Sequence, residues 1–310
     1  RYLETKLDEF RSDKHKSQWR STLDRYAKPE IGSMLVQEIA IADVLRVLSP
    51  IWGEKTETAS RLRGRIEAVL SWATVAGYRT GDNPARWAGN LKELLPAPSK
   101  IAKLHNQPAL ALSDAARWFA SLRKREGTAA RALEVLALCA CRSGEVRGAT
   151  WEEFDLDARI WTIPASRMKM RREHRIPLTN RIVSLLKALP RFQDSRFVFA
   201  APRGGPLSDM ALSAVMRRMQ ESEVEAGRKG WLDPRSNRPA VPHGLRSTFR
   251  DWTAERGYPR DMAEIALAHN VGNEAERAYR RSDMIERRRV MMAAWSDFLL
   301  DRTTAKVVRI

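Results

Sequence analysis

The sequence is poor in cysteine and has no long apolar segment. Its two cysteines, Cys139 and Cys141, are two apart in a helical pattern and so point to different faces. A disulfide between them is implausible, and no second pair exists to complete a zinc site. No apolar run reaches the roughly 18 residues of a membrane span, and no signal peptide is visible. We therefore expect a cytoplasmic protein, independent of membranes, with both cysteines in or near a core.

Two kinds of phosphate chemistry are also missing. Asp and Glu do not cluster at the spacing of metal ligands, as a two-metal nuclease requires. No loop of the form GxxxxGK[ST] is present, so ATP is not implied. We predict neither a metal nor a cofactor.

Positive charge, by contrast, is abundant. The 310 residues include 55 Lys and Arg against 38 Asp and Glu, a net charge of +17. Residues 1–100 carry only +4 of this charge and the remainder carries +13. A field of this sign attracts polyanions, and nucleic acid is the commonest partner for such a balance. A protein that is merely basic stays an alternative at this point.

Hydrophobic periodicity predicts two domains. Residues 1–96 have mostly helical patterns, and the proline-containing stretch 97–110 lacks a helical period, which indicates a linker. Within 111–310, strands are predicted at residues 150–154, 159–163 and 174–178. Helices are predicted there at residues 128–140, 180–189, 208–226, 243–256, 260–268, 273–281 and 284–300, besides one starting near Ser113 as its N-cap. The fold class is therefore mainly α with a small antiparallel sheet, an α+β arrangement.

Two segments combine cationic or reactive side chains with helix ends. Arg142 follows the apolar helix 128–140, where an Arg needs a carboxylate or phosphate partner, and Glu145 could orient it. His243 and Arg246 open a helix and share one face beside free amide groups, which favour an anion. Each is weak evidence alone. The first could be a salt bridge that closes a helix, and the second a solvated helix face.

A third segment places His269 at the end of an apolar helix and Tyr279 among arginines ten residues later. Most tyrosines pack in cores or interfaces, but cationic neighbours would favour the phenolate and attract phosphate. Lys169 lies in a turn between two strands, as a solvated charge or as an arm that reaches a phosphate. His174, on the same hairpin, is either a solvated strand residue or a DNA contact.

Together these residues have the groups needed for phosphoryl transfer on a phosphodiester without a metal ion. The reaction needs cations on the non-bridging oxygens, a nucleophile, and a proton for the leaving oxygen. Two Arg, one Lys, two His and one Tyr provide all three.

The order of this set resembles the tyrosine recombinase family. It reads Arg-x-x-Glu, a hairpin Lys, His-x-x-Arg, Leu-Ala-His, and Tyr ten residues later. The text Arg167-Met-Lys-Met-Arg-Arg-Glu-His looks especially like integrases of prophages and genomic islands. One departure is Cys141, where many members have Gly. The resemblance covers nearly the whole chain and is most specific over residues 130–300.

The resemblance implies a catalytic set of Arg142, Lys169, His243, Arg246, His269 and Tyr279. The two arginines would clamp the scissile phosphate, and the tyrosine would form a 3′-phosphotyrosine and free a 5′-hydroxyl. The lysine would protonate the leaving 5′-oxygen. His243 would assist proton transfer at the tyrosine, and His269 would stabilise the transition state. The covalent intermediate keeps the phosphodiester energy, so rejoining needs no ATP.

The resemblance also implies an architecture and partners. Residues 1–96 would be a helical core-DNA-binding domain and 111–310 the catalytic domain. The substrate would be double-stranded DNA at attachment sites, bound by a homo-tetramer, with accessory DNA-bending or directionality proteins as further partners. The chain begins at Arg1 inside a helical pattern, so we expect a truncation that removed an N-terminal arm-binding domain.

The expected activity is site-specific recombination that integrates or excises a mobile element. A type IB topoisomerase-like enzyme that relaxes supercoils is one alternative. A catalytically silent DNA-binding regulator of the same fold is another, although the complete catalytic set argues against it. An apolar stripe of Met291, Trp295 and Phe298 would either dock on a neighbouring protomer or pack on its own domain.

Overall fold

The computed structural model describes residues 1–6, 9–10, 13–101, 107–272 and 282–302. The chain divides into two compact units, residues 1–105 and 106–310, and each is described by itself. Among the described helices, none is both long and apolar enough to cross a membrane. The assignment of DNA binding to residues 1–96 and catalysis to residues 111–310, joined by a linker, stays a prediction.

The first unit is helical in its described part. Its helices are α1 (Tyr2–Lys6), α2 (Asp13–Thr22), α3 (Lys28–Ile31), α4 (Ile41–Trp52), α5 (Thr56–Val75) and α6 (Pro98–Ile101), with a π-helical turn at Leu23–Ala27 and a 3-10 turn at Leu91–Glu93. α5 buries Leu62, Ile66 and Leu70 at helical spacing and packs on α4. The amphipathic stripe of this helix therefore forms part of the core of the first unit.

The second unit packs helices around α8. Its described helices are α7 (Leu112–Arg123), α8 (Thr128–Cys139), α9 (Ser143–Arg147), α10 (Asn180–Ala188), α11 (Ala211–Glu225), α12 (Gly244–Glu255), α13 (Arg260–Ala266) and α14 (Ile285–Leu299). Every residue of α8 from Ala132 to Cys139 is buried, including Glu134, which forms ion pairs with Arg131 and Arg181. Cys139 and Cys141 are free thiols in this core. The helix predicted at 273–281 lies outside the described residues.

A three-stranded antiparallel sheet, in the order β1-β2-β3, completes the second unit. Its strands are β1 (Phe154–Asp155), β2 (Ile160–Ile163) and β3 (His174–Pro177). Trp161 of β2 pairs with Ile176 of β3, and both side chains are buried. The first strand is shorter than predicted because Trp151–Glu153 forms a 3-10 turn. The predicted fold class, mainly α with a small antiparallel sheet, is confirmed.

The apolar stripe near the C-terminus packs within its own unit. Met291 and Trp295 of α14 are 0% and 2% exposed, and Trp295 Nε1 donates a hydrogen bond to the Ala137 carbonyl oxygen (2.8 Å). Phe298 is partly buried against the same core. Of the two interpretations of this stripe, packing on its own domain is therefore the one that applies.

Candidate active site

The site is built where two helices end. α8 is followed by Ala140 and α13 by Leu267 and then Ala268, and both alanines have a left-handed backbone (φ 50°). This conformation costs a non-glycine residue about 1–2 kcal/mol. The last carbonyl groups of a helix have no partner inside it, and the helix dipole makes this end attractive to cations. Two arginines occupy these ends.

Arg246, in the first turn of α12, joins the two helix ends. Its Nη1 donates to the Ala140 carbonyl oxygen (2.7 Å) and its Nη2 to that of Leu267 (2.6 Å). The side chain is buried, and this burial together with the charge of Arg142 lowers the pKa of Arg246 to about 10. It therefore stays charged at neutral pH. No carboxylate of the described residues forms an ion pair with this guanidinium.

Arg142 lies between the same two helix ends, at the N-cap of α9. Its Nη1 donates to Glu145 Oε1 (2.8 Å) and its Nη2 to the Ala268 carbonyl oxygen (3.3 Å). Glu145 Oε2 accepts from the Arg142 main-chain N–H (2.7 Å), so one carboxylate holds both ends of the residue. The helix-closing salt bridge and the orienting role considered for Glu145 are thus the same contact. Cys141 does not have a positive φ, so the turn does not need glycine there.

His269 connects Arg246 to an acidic residue. Its Nδ1 lies 2.7 Å from Glu264 Oε2 and its Nε2 lies 3.0 Å from Arg246 Nη2. The other oxygen of Glu264 accepts from Arg250 Nε (2.8 Å). Burial alone would raise the pKa of Glu264, but the hydrogen bonds from His269 and Arg250 outweigh it and lower that pKa. Glu264 is therefore an ionised member of the site.

His243 and Lys169 lie at the open side of the site. His243 immediately precedes α12 and is exposed. Lys169 is exposed in the turn between β2 and β3. Desolvation, followed by the positive charges of Arg246 and Arg142, lowers the pKa of His243. Charge from His269 and Lys169 adds to this effect. The histidine is therefore neutral near pH 7 and able to accept a proton.

The structure thus brings together five of the six predicted residues, Arg142, Lys169, His243, Arg246 and His269. A cleft of about 760 Å³ is lined by His243, Arg246 and His269. A second cavity, of about 380 Å³, is also lined by His269. The sixth residue, Tyr279, lies outside the described residues. The second cavity is also lined by Val271 and Ser282, which are described residues before and after the stretch that contains Tyr279.

Of the two interpretations offered for His174, the solvated strand residue is wrong, and the DNA contact stays a prediction. Its side chain is only 8% exposed, and it lines the second cavity together with His269. Burial, and then the positive charges of Arg288, Arg142 and Arg246, lower the pKa of His174 to about 3. His174 is therefore an uncharged residue near pH 7, close enough to the arginines of the site to be affected by their charge.

A further cation, Arg288, was missed by sequence reasoning. It is 1% exposed in the first turn of α14, and its Nη2 donates to the Arg175 carbonyl oxygen of β3 (2.6 Å). Arg175 in turn donates to Asp283 Oδ2 (3.2 Å). The start of α14 is thereby fastened to the hairpin that carries Lys169. Spacing could have revealed Arg288, because it lies three residues before the buried Met291 on the same helix face.

Comparison with known proteins gives matches along nearly the whole chain. Residues 1–90 match the phage integrase central domain, and residues 109–286 match the phage integrase family. The prophage integrase IntA of Escherichia coli K12 is 31% identical over 94% of this chain and 66% of its own length. The integrase of Enterobacteria phage P4 is 27% identical over 93% of this chain and 65% of its own. The chain thus spans just under two thirds of the length of these relatives.

Solved structures share the fold at low sequence identity. A lambda integrase dimer bound to a COC′ core site has a TM-score of 0.64 at 16% identity, covering 87% of this chain and 93% of that one. A lambda integrase tetramer bound to a Holliday junction has a TM-score of 0.65 at 15% identity, covering 88% and 76%. The Tn1549 transposon integrase in complex with transposon right end DNA has a TM-score of 0.66 at 13% identity, covering 94% and 97%.

Proposed function

The chain belongs to the phage integrase family, the tyrosine recombinases that its sequence resembles, and on that premise we propose that it is a site-specific DNA recombinase. It would cleave and rejoin DNA strands through a 3′-phosphotyrosine and so integrate or excise a mobile element. The observation that carries the proposal is Arg246, a buried cation whose described partners are neutral acceptors, beside Arg142 and at the wall of a cleft. A phosphodiester is the anion that two such guanidinium groups fit.

In the proposed reaction Arg142 and Arg246 neutralise the non-bridging oxygens of the scissile phosphate. The phenolic oxygen of Tyr279 forms a bond to phosphorus, and the bond from phosphorus to the 5′-oxygen breaks. His243, whose lowered pKa keeps it neutral, accepts the phenolic proton, and Lys169 gives a proton to the leaving 5′-oxygen. Attack by a 5′-hydroxyl reverses these steps and rejoins the strand.

The partners follow from the same proposal. The substrate is double-stranded DNA at attachment sites, and the matches to integrases whose structures contain DNA support it. A homo-tetramer is proposed because lambda integrase forms one on a Holliday junction. Residues 1–96 would bind core DNA, which the match to the integrase central domain supports. Accessory DNA-bending or directionality proteins would act on this assembly.

Covalent trapping tests the proposal. The wild-type chain and its Tyr279→Phe variant are each incubated with a set of nicked duplexes. Together these duplexes cover the boundary between the mobile element and the flanking DNA next to the gene for this chain. The products are separated on a denaturing gel. We expect a slowly migrating protein–DNA adduct with the wild type and none with the variant, while both bind the duplex equally. Tight binding without an adduct would instead favour a silent regulator. Relaxation of supercoils without exchange between two marked sites would favour a topoisomerase-like enzyme.

A further inference from the structure

Glu264 lies outside the set of six catalytic residues, yet the way in which α13 ends ties it to His269. The main-chain N–H of His269 donates to the Glu264 carbonyl oxygen (2.9 Å), and that of Ala268 donates to the carbonyl oxygen of Ile265 (3.0 Å). With Ala268 in the left-handed conformation, these two bonds form a Schellman motif. This motif brings together the side chains five residues apart, often as an apolar contact. Here the pair is an imidazole and a carboxylate.

The side-chain hydrogen bonds select one tautomer of the imidazole. An ionised carboxylate can only accept, so Nδ1 of His269 must carry the hydrogen that points at Glu264 Oε2. In the neutral imidazole, Nε2 is then an acceptor, and it faces Arg246 Nη2, which can only donate. The other tautomer would set two donors against each other at the Arg246 side. One tautomer alone satisfies all partners.

Arg250 extends this arrangement on the other side. It lies four residues after Arg246 on the same face of α12, and its Nε donates to the second oxygen of Glu264 (2.8 Å). The resulting chain runs from Arg250 through Glu264 and His269 to Arg246, with every donor opposite an acceptor. Glu264 is only 19% exposed at the side chain, so water competes weakly for these bonds.

We propose that Glu264 is a positioning residue that holds His269 in the Nδ1–H tautomer and thereby orients the Arg246 guanidinium that binds the scissile phosphate. This inference rests on the proposed recombinase function. Among the described residues, the hydrogen-bond partners of Arg246 are two main-chain carbonyl oxygens and the imidazole of His269. The carbonyls are fixed by helix ends, whereas the imidazole is fixed by Glu264. Loss of the carboxylate therefore releases the described partner of Arg246 that is a side chain rather than a main-chain group.

A competing explanation is that Glu264 merely clamps α12 to α13 through Arg250. The two explanations predict different rates when the Glu264 and His269 substitutions are combined. If Glu264 acts through His269, removing the imidazole first makes the carboxylate irrelevant to the rate. If it only clamps the helices, the losses from the two substitutions multiply.

The experiment compares Glu264→Gln, His269→Ala and the double variant in single-turnover formation of the covalent adduct. We expect Glu264→Gln to slow adduct formation about 10- to 100-fold, by analogy with the loss of a hydrogen-bond partner behind a metal-binding histidine. In the His269→Ala background, the same substitution should change the rate less than about 2-fold. A loss of equal size in both backgrounds would overturn the proposal. Glu221→Gln, an exposed change of the same charge on α11, is the matched control and should leave the rate unchanged.

A measurement without DNA separates this inference from the proposed function. The chain contains only five histidines, so long-range ¹H–¹⁵N spectra of ¹⁵N-histidine protein can resolve their ring nitrogens. The signals of His269 are assigned as those absent in His269→Ala. We expect a protonated Nδ1 and a bare Nε2 in the wild type, and a loss of this pattern in Glu264→Ala, which removes the acceptor. Arg250→Gln, which leaves the carboxylate in place, should retain it. An unchanged tautomer in folded Glu264→Ala would reject the proposal even if the chain formed no adduct at all.

Discussion

At the scale of single residues, main-chain carbonyl groups contact both arginines of the site, and Arg142 is also held by Glu145. Arg246 donates to carbonyl oxygens at the ends of α8 and α13, and Arg142 donates to one at the end of α13. Main-chain acceptors hold the guanidinium groups in place without supplying a full negative charge to Arg246. A bound phosphate would therefore meet a cation that is already oriented, which reduces the reorganisation needed in the transition state.

Lys169 gives a prediction at this scale. Lys169→Ala should slow adduct formation by about 10²- to 10⁴-fold, because a general acid contributes that much. A duplex with sulfur in place of the 5′-bridging oxygen should remove most of the defect. The leaving thiol has a pKa near 8.5 and departs without a proton, unlike an alcohol. Single-turnover rates on the oxygen and sulfur duplexes measure this.

The matched control for that experiment is Arg246→Ala. Its missing charge acts on the non-bridging oxygens, so the sulfur duplex should leave its defect in place. If Lys169→Ala is equally slow on both duplexes, the lysine does not protonate the leaving oxygen.

His174 gives a prediction for stability against pH. Burial and the charge of Arg288 hold its pKa at about 3 in the folded chain, whereas an unfolded histidine titrates near 6.5. Between these pH values the unfolded state binds a proton that the folded state does not, so stability is full above pH 6.5 and falls as the pH falls. The loss approaches about 1.4 kcal/mol per pH unit well below pH 6.5. Denaturant unfolding from pH 7 to pH 5 should therefore show a shallower pH dependence in His174→Gln. Equal slopes would contradict this placement of the imidazole.

Which residues of the site could be predicted depended on how local their partners are. The pair Arg142 and Glu145 is three residues apart, so the sequence alone suggested the contact, and the structure contains it. Arg288 instead contacts Arg175, which is 113 residues away, so helical spacing could mark Arg288 as buried but could not identify its partner. Glu264 and His269 are five residues apart, but their contact depends on the left-handed Ala268, which an alanine does not signal.

At the scale of elements, hydrophobic periodicity predicted which segments are helical better than it predicted where each helix begins. The helix at 128–140 was expected from its apolar residues and is α8, whereas Ser113 is not the N-cap of α7, which begins after Ala111. A polar residue near a helix start is a weak signal compared with the tertiary packing of the preceding segment. Leu110, just before that start, is buried in the core of the second unit.

Gly244, the first residue of α12, supports a prediction at this scale. A Cβ atom there would lie 1.8 Å from the Pro108 carbonyl oxygen, so a larger residue must push the helix start away. Gly244→Ala should lower the free energy of unfolding by about 1–3 kcal/mol, as overpacking does. It should also slow adduct formation, because His243 and Arg246 move with this turn. Thermal unfolding and single-turnover cleavage measure the two effects.

Gly64→Ala is the control. Gly64 lies inside α5, and a Cβ atom there would meet nothing within 4 Å. Alanine should therefore raise stability by about 0.5–1 kcal/mol, the usual gain in a helix interior. If Gly244→Ala proved as harmless as Gly64→Ala, the close approach of α12 to Pro108 would not constrain the site.

At the scale of the whole molecule, the distribution of charge separates two contributions to DNA binding. Most of the net charge, +13 of +17, lies after residue 100, in the part that contains the site. Many arginines there, such as Arg167 and Arg181, are paired with carboxylates inside the protein and are not available to phosphates. Net charge therefore overstates the number of phosphate contacts, and the measured salt dependence reports the real number.

Binding to a duplex that spans the junction should consequently weaken steeply with salt. Each neutralised phosphate contributes about 0.9 to the slope of log affinity against log salt concentration, so 6–10 contacts would lower affinity by about 10³–10⁵ between 50 and 200 mM salt. Fluorescence anisotropy across that range measures the slope for the wild type and for Arg246→Ala. Because Arg246 contacts a single phosphate in the proposed mechanism, its loss should reduce the slope by about 1 while cleavage is nearly abolished. A slope near zero would show that phosphates do not dominate binding, and an unchanged slope in Arg246→Ala would remove this guanidinium from the DNA interface.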